Sequence, residues 1–146
     1  MRIDEIDQED ADIDWFATDN NGHILHIASG GGILPESVAA SEEELLELHQ
    51  YFLTLPETGS GVTVAVEETA DEGSYQGFAR YARRGLFSFA KTRLHERADT
   101  QYYIVARPTQ LLTVAELPTH IAELLGRTRL LGAVTEQVTL DSTTIL

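Results

Sequence analysis

The dipeptide Asn21-Gly22, set between two apolar segments, constrains this chain more than any other feature. Ile13, Trp15 and Ala17 share one face of a strand, Asn21-Gly22 supplies the two positive-φ positions of a type I′ turn, and Ile24 to Ala28 returns. The pattern predicts a β-hairpin from Ile13 to Ser29. Gly30-Gly31-Gly32 reads as a tight turn out of it, and Leu34-Pro35 breaks any continuing strand.

The period then changes. Ser41 and Glu44 form a capping box, Glu42, Glu43, Glu44 and Glu47 sit where a helix macrodipole favours acids, and Leu45, Leu48 and Phe52 make an apolar stripe ended by Pro56. Val62 to Val66 reads as a strand and Glu67 to Gly73 as a solvated acidic loop. A short helix is expected from Tyr75 to Arg84, stopped by Gly85, and Leu86 to Arg93 alternates again with Phe87, Phe89, Lys91 and Arg93 on one face. Tyr102 to Ala106 is an apolar strand. Thr113 and Glu116 form a second capping box before a helix from Pro118 to Leu125 with Ile121, Leu124 and Leu125 inward, and Val134 to Leu140 is a last candidate strand. With no repeat or linker in 146 residues, the expectation is one α+β domain. Its sheet is expected to be mostly antiparallel, with two to three helices packed on it and an acidic lead over residues 1–12.

Charge is divided unevenly along this pattern. Residues 1–72 hold 18 acids and one base, Arg2, for a net of −17, and residues 73–146 hold 6 acids and 9 bases, for +3, which together give −14. Such a field favours cationic partners and repels nucleic acid, membrane surfaces and phosphorylated substrates. The absence of cysteine rules out thiol catalysis, zinc–thiolate sites and iron–sulfur clusters, and it fits a reducing compartment. The first 14 residues carry seven acids and no apolar run, unlike a secretory or transit signal. A cytoplasmic protein is the expectation.

Chemical motifs are sparse. Asp10, Asp12 and Asp14 alternate, so on a strand they would share a face; Trp15 and Asn21 stand where a calcium loop needs glycine and glutamate, and no metal is expected. The glycine triplet matches no nucleotide-binding pattern. Arg80, Arg83 and Arg84 form a basic helix edge, expected to pair with the acidic half or to dock an acidic segment. His23, His26, His49, His95 and His120 have no metal-ligand spacing, no nucleophile elbow occurs, and each histidine reads most simply as a surface or cross-strand residue. Trp15-Phe16 and Tyr102-Tyr103 are adjacent aromatic pairs whose members face opposite ways, so one of each pair leaves the core unless both sides of the sheet are covered.

The run Asp14-Trp15-Phe16-Ala17-Thr18-Asp19, with Gly22, His26, Ala28-Ser29-Gly30-Gly31 and Leu34-Pro35-Glu36-Ser37, resembles the opening of a family of small bacterial proteins. Arg84-Gly85-Leu86-Phe87-Ser88-Phe89, Tyr102 to Pro108 and Glu116-Leu117-Pro118 are similar to that family's ending, so the resemblance spans about residues 13–125. Proteins of this kind are similar to the immunity proteins of polymorphic toxin systems, single acidic α+β domains that bind and block a toxin encoded beside them. The resemblance implies no catalytic residue and no cofactor.

The leading expectation is therefore an immunity-type binding protein, not an enzyme, whose acidic surface occludes a basic active site on a cognate toxin. Asp10, Asp12 and Asp14, Glu42, Glu43 and Glu47, and Glu67, Glu68, Asp71 and Glu72 are its candidate partner-binding residues. The alternative is a small ligand-binding domain or enzyme with a pocket near Gly30–Gly32 and His23 or His26 as a polar group.

Overall fold

The chain folds as α+β, with a six-stranded mixed sheet and short helices packed against it. The structure is a computed structural model that describes residues 2–10, 12–57, 62–64, 79–91, 100–108, 110–130, 132–136 and 139–145. In chain order the elements are α1 (Glu5–Asp10), β1 (Asp14–Thr18), β2 (Ile24–Ala28), α2 (Glu36–Ala39), α3 (Glu42–Thr54), β3 (Val62–Val64), β4 (Phe87–Lys91), β5 (Gln101–Pro108), α4 (Thr119–Leu125) and β6 (Thr139–Asp141). Residues 79–82 form a further helical turn, ended by Gly85 at φ 99°.

Strand order is β1-β2-β4-β5-β3, with β6 also pairing β5. Among the described residues, the named strands pair antiparallel except β2 with β4, which run parallel. A parallel pair needs a long crossover, and the connection from β2 to β4 carries α2, α3 and β3. That pairing sets Ser88 beside His26.

The hairpin forms as expected, but its turn is wider than type I′. Thr18 pairs with Ile24, which leaves residues 19–23 as the loop. Asp19 takes over the turn: its Oδ1 accepts the N–H groups of Asn21 and His23, both at 2.9 Å, and its Oδ2 accepts the Val134 N–H at 2.8 Å. An aspartate that captures backbone donors this way competes with the simple two-residue turn.

Both faces of the central strands are buried. Trp15 and Phe16 point to opposite sides, yet neither is more than 1% exposed. On one side Phe16 meets Phe52 of α3 with ring centroids 4.9 Å apart. On the other, Trp15 lies edge-on to Tyr102 at 6.2 Å. Two strands separate β1 from β5, a span of about 14 Å in a flat sheet, so this contact reflects a sheet that curls toward the Trp15 face.

Other expectations change at their ends. Ser41 caps α3 by accepting the Glu44 N–H, but the Glu44 carboxylate pairs with Arg127 instead of closing the box. The Thr113–Glu116 box closes a 3-10 turn, and Pro118 begins α4 separately. Val134 to Leu140 divides into a 3-10 turn at Val134–Glu136 and the start of β6. Of the basic edge, Arg84 pairs with Glu57 at 3.2 Å and donates to the Leu55 carbonyl, the first of the two roles expected of that edge. The acidic lead is a docked element: Ile3 N–H bonds the Ala39 carbonyl, and buried Gln8 bridges the Ile3 carbonyl and the Leu34 N–H.

Candidate functional site

Strand β1 begins at Asp14, and Asp10 closes α1, so the three alternating aspartates do not form one ladder. Two of them still converge. Asp12 is fixed by the Gly30 N–H, which donates to its Oδ1 at 3.0 Å. Gly30 and Gly31 have φ of 60° and 76°, so the triplet makes the tight turn expected of it. The anion facing Gly30 is a carboxylate of the chain itself.

A cavity of about 440 Å³ lies between the N-terminal segment, the start of β1 and α3. It is lined by Asp7, Asp12, Asp14, Glu42 and His49, with Ile3, Ile13, Leu45 and Leu46 supplying its apolar surface. Glu42, Leu45, Leu46 and His49 are spaced i, i+3, i+4 and i+7, one face of α3. The macrodipole favours Glu42 at the start of that helix for structural reasons, and the same placement puts its carboxylate in the cavity.

Beneath the cavity, polar groups run into the core. His26 Nε2 lies 2.8 Å from Asp14 Oδ1, and His26 Nδ1 lies 2.6 Å from Ser88 Oγ. Tyr81 stacks on the imidazole at 3.8 Å with an interplanar angle of 16°, and its hydroxyl is 3.2 Å from His49 Nδ1. His49 Nδ1 in turn stands 3.9 Å from Asp14 Oδ2. Burial pushes the His26 imidazole below its ordinary pKa, and this outweighs the upward pull of Asp14. For Asp14, burial would raise the carboxyl, but the His26 hydrogen bond and the charges of His26, His49 and Arg80 outweigh it and hold it below the usual range. Burial and the Asp14 charge push the Tyr81 hydroxyl up. The arrangement at neutral pH is therefore an ionised Asp14 against a neutral His26. Nε2–H donates to the carboxylate, which leaves Nδ1 to accept the Ser88 hydroxyl.

No family model, curated protein or solved structure matches this chain. The site therefore has to be read from its own geometry.

Of the anticipated residues, Asp12, Asp14 and Glu42 meet in the cavity. Glu43 is exposed, accepts from Ser41 Oγ at 3.4 Å and does not line it. Glu47 turns toward α4, where it pairs with His120. The Asp10 side chain and Glu67, Glu68, Asp71 and Glu72 lie outside the described residues. Asp7, His49 and Ser88 carry no site role in the sequence reading, and His26 enters it only as a polar group of the alternative pocket. Their signal was polar residues at positions surrounded by apolar ones: His26 within Ile24 to Ala28, Ser88 between Phe87 and Phe89, and His49 one turn beyond Leu45. Among the described residues, no three His, Asp or Glu side chains are placed to hold a metal ion, and no helix is long and apolar enough to cross a membrane.

Proposed function

We propose that this protein is an immunity-type binding protein, which neutralises a cognate toxin by covering a basic site on it with an acidic surface. The observation that carries the reading is the convergence of Asp7, Asp12, Asp14 and Glu42, from α1, the β1 lead and α3, around one cavity with an apolar lining. Carboxylates that line one cavity from separate segments favour a cationic group entering it. The half-exposed Leu46 beside them, at 51%, adds the apolar contact that protein interfaces use at their centres. The net charge of −14 would steer a basic partner toward the site.

The reading predicts a toxin domain in a neighbouring reading frame, and co-expression with that domain tests it. Growth should be protected by the native chain and by Glu47→Lys, and lost with Asp12→Lys or Glu42→Lys. Killing that proceeds equally with and without the native chain would overturn the proposal.

One observation favours a second reading. Ser88, His26 and Asp14 are joined in sequence as in a serine hydrolase, but with the ring nitrogens exchanged: Nδ1 faces the serine and Nε2 the acid. In such an enzyme the serine faces substrate and the acid is buried, whereas here Ser88 is 0% exposed and the Asp14 side chain 29%. A fluorophosphonate probe separates the two readings: labelling of Ser88 would favour the hydrolase, and an unlabelled folded chain would favour binding.

A further inference from the structure

The row Phe16, His26, Ser88 and Ala106 crosses β1, β2, β4 and β5 on the face covered by α3, and two of its four members are polar. A buried imidazole and hydroxyl cost free energy unless their hydrogen bonds are made. Here they are made in one direction, from Ser88 to His26 to Asp14, and the relay ends on a carboxylate that lines the cavity. Tyr81 and Phe16 flank the imidazole, with ring centroids at 3.8 and 5.7 Å, and fix its plane. The relay thus orients Asp14 from within the core.

We propose that Ser88 and His26 are positioning residues for Asp14, and that Asp14, so held, is the anchor for an arginine side chain of the protein partner. The inference rests on reading the cavity as a binding site for a basic protein. Arginine suits it better than lysine for two reasons. The apolar surface of Ile3, Ile13, Leu45 and Leu46 can cover a methylene stem. A planar guanidinium can pair a carboxylate through two parallel N–H···O bonds, whereas an ammonium is a compact, strongly hydrated point charge. A volume of about 440 Å³ leaves room for the arginine and part of its neighbours.

The test is a titration of the full chain with N-acetyl-arginine amide and N-acetyl-lysine amide, followed by NMR of the imidazole nitrogens and backbone amides. Arginine amide should bind saturably, shift the His26 Nε2–H signal, and bind about tenfold more tightly than lysine amide. Asp14→Asn should abolish the preference. Ser88→Ala, which removes one hydroxyl, should weaken arginine binding several-fold and move the His26 signal; if it does not fold, Ser88→Cys should weaken binding in the same direction. Equal arginine binding by the native chain and Asp14→Asn, undiminished affinity in the folded Ser88 variant, or no saturable binding would overturn the inference. Arginine recognition of the expected kind without protection against a toxin would leave this inference standing and overturn the immunity reading alone.

Discussion

Asp14 and His26 meet across the β1–β2 hairpin at 2.8 Å, one partly open to the cavity and the other sealed in the core. Removing His26 takes a hydrogen-bond donor from the Asp14 carboxylate, and removing Asp14 takes the acceptor from Nε2–H of the buried imidazole, in a site of low dielectric. Asp14→Ala, His26→Ala and the double variant form a thermodynamic cycle. Urea unfolding should return a coupling of about 1–3 kcal/mol, and additive effects would show that the two side chains act independently.

The same pair makes stability fall in acid by two steps. The folded pKa of His26 lies below its unfolded value, so its contribution is complete above about pH 6.5 and is lost as pH falls toward the folded value. Asp14 is also depressed, so its contribution is present above about pH 3.9 and is lost as pH falls through its folded value. Unfolding free energies measured from pH 8 to 3 should show both declines. His26→Gln should remove the upper one; a profile unchanged by that substitution would assign the upper step to another group.

Gly85 gives a prediction that concerns the fold alone. Its φ of 99° disfavours any side chain, and an ideal Cβ would stand 2.5 Å from the Leu112 nitrogen and 2.6 Å from the Leu112 Cβ. The neighbouring backbone cannot step aside, because the Leu112 N–H donates to the Gly85 carbonyl at 3.1 Å. Gly85→Ala should cost about 3 kcal/mol in denaturant unfolding. A cost near zero would mean that this crossing opens readily.

Much of this fold can be read from local pattern, and the site cannot. The hairpin, α3 with Leu45, Leu48 and Phe52 buried, β4, β5 and the inward face of α4 each follow from residues a few positions apart. The turn at Asp19 is different, because one of its carboxylate's donors is Val134, 115 residues away. Ser88 and His26 are 62 residues apart and meet through the parallel pairing of β2 with β4, which no local period encodes. Charge asymmetry points to the acidic half but does not distinguish Glu42, which faces the cavity, from Glu47, which faces His120. Five positions separate them on the helix, and only the packing of α3 decides which face each takes.

The packing that makes that decision centres on Phe52. Its side chain is fully buried, and its ring lies 4.9 Å from Phe16, which also contacts His26 and Tyr81. Phe52→Ala should remove about 3–5 kcal/mol of stability, since it opens a cavity where α3 meets the sheet. Phe52→Leu keeps most of the apolar volume and should cost distinctly less. Because Glu42 and His49 reach the cavity from the same helix, a loosened α3 should also weaken partner binding in the alanine variant even where it remains folded. Urea unfolding and partner affinity measured on both variants check this. If Phe52→Ala lost stability without losing affinity, the cavity would be held by β1 and the N-terminal segment without help from the α3 packing.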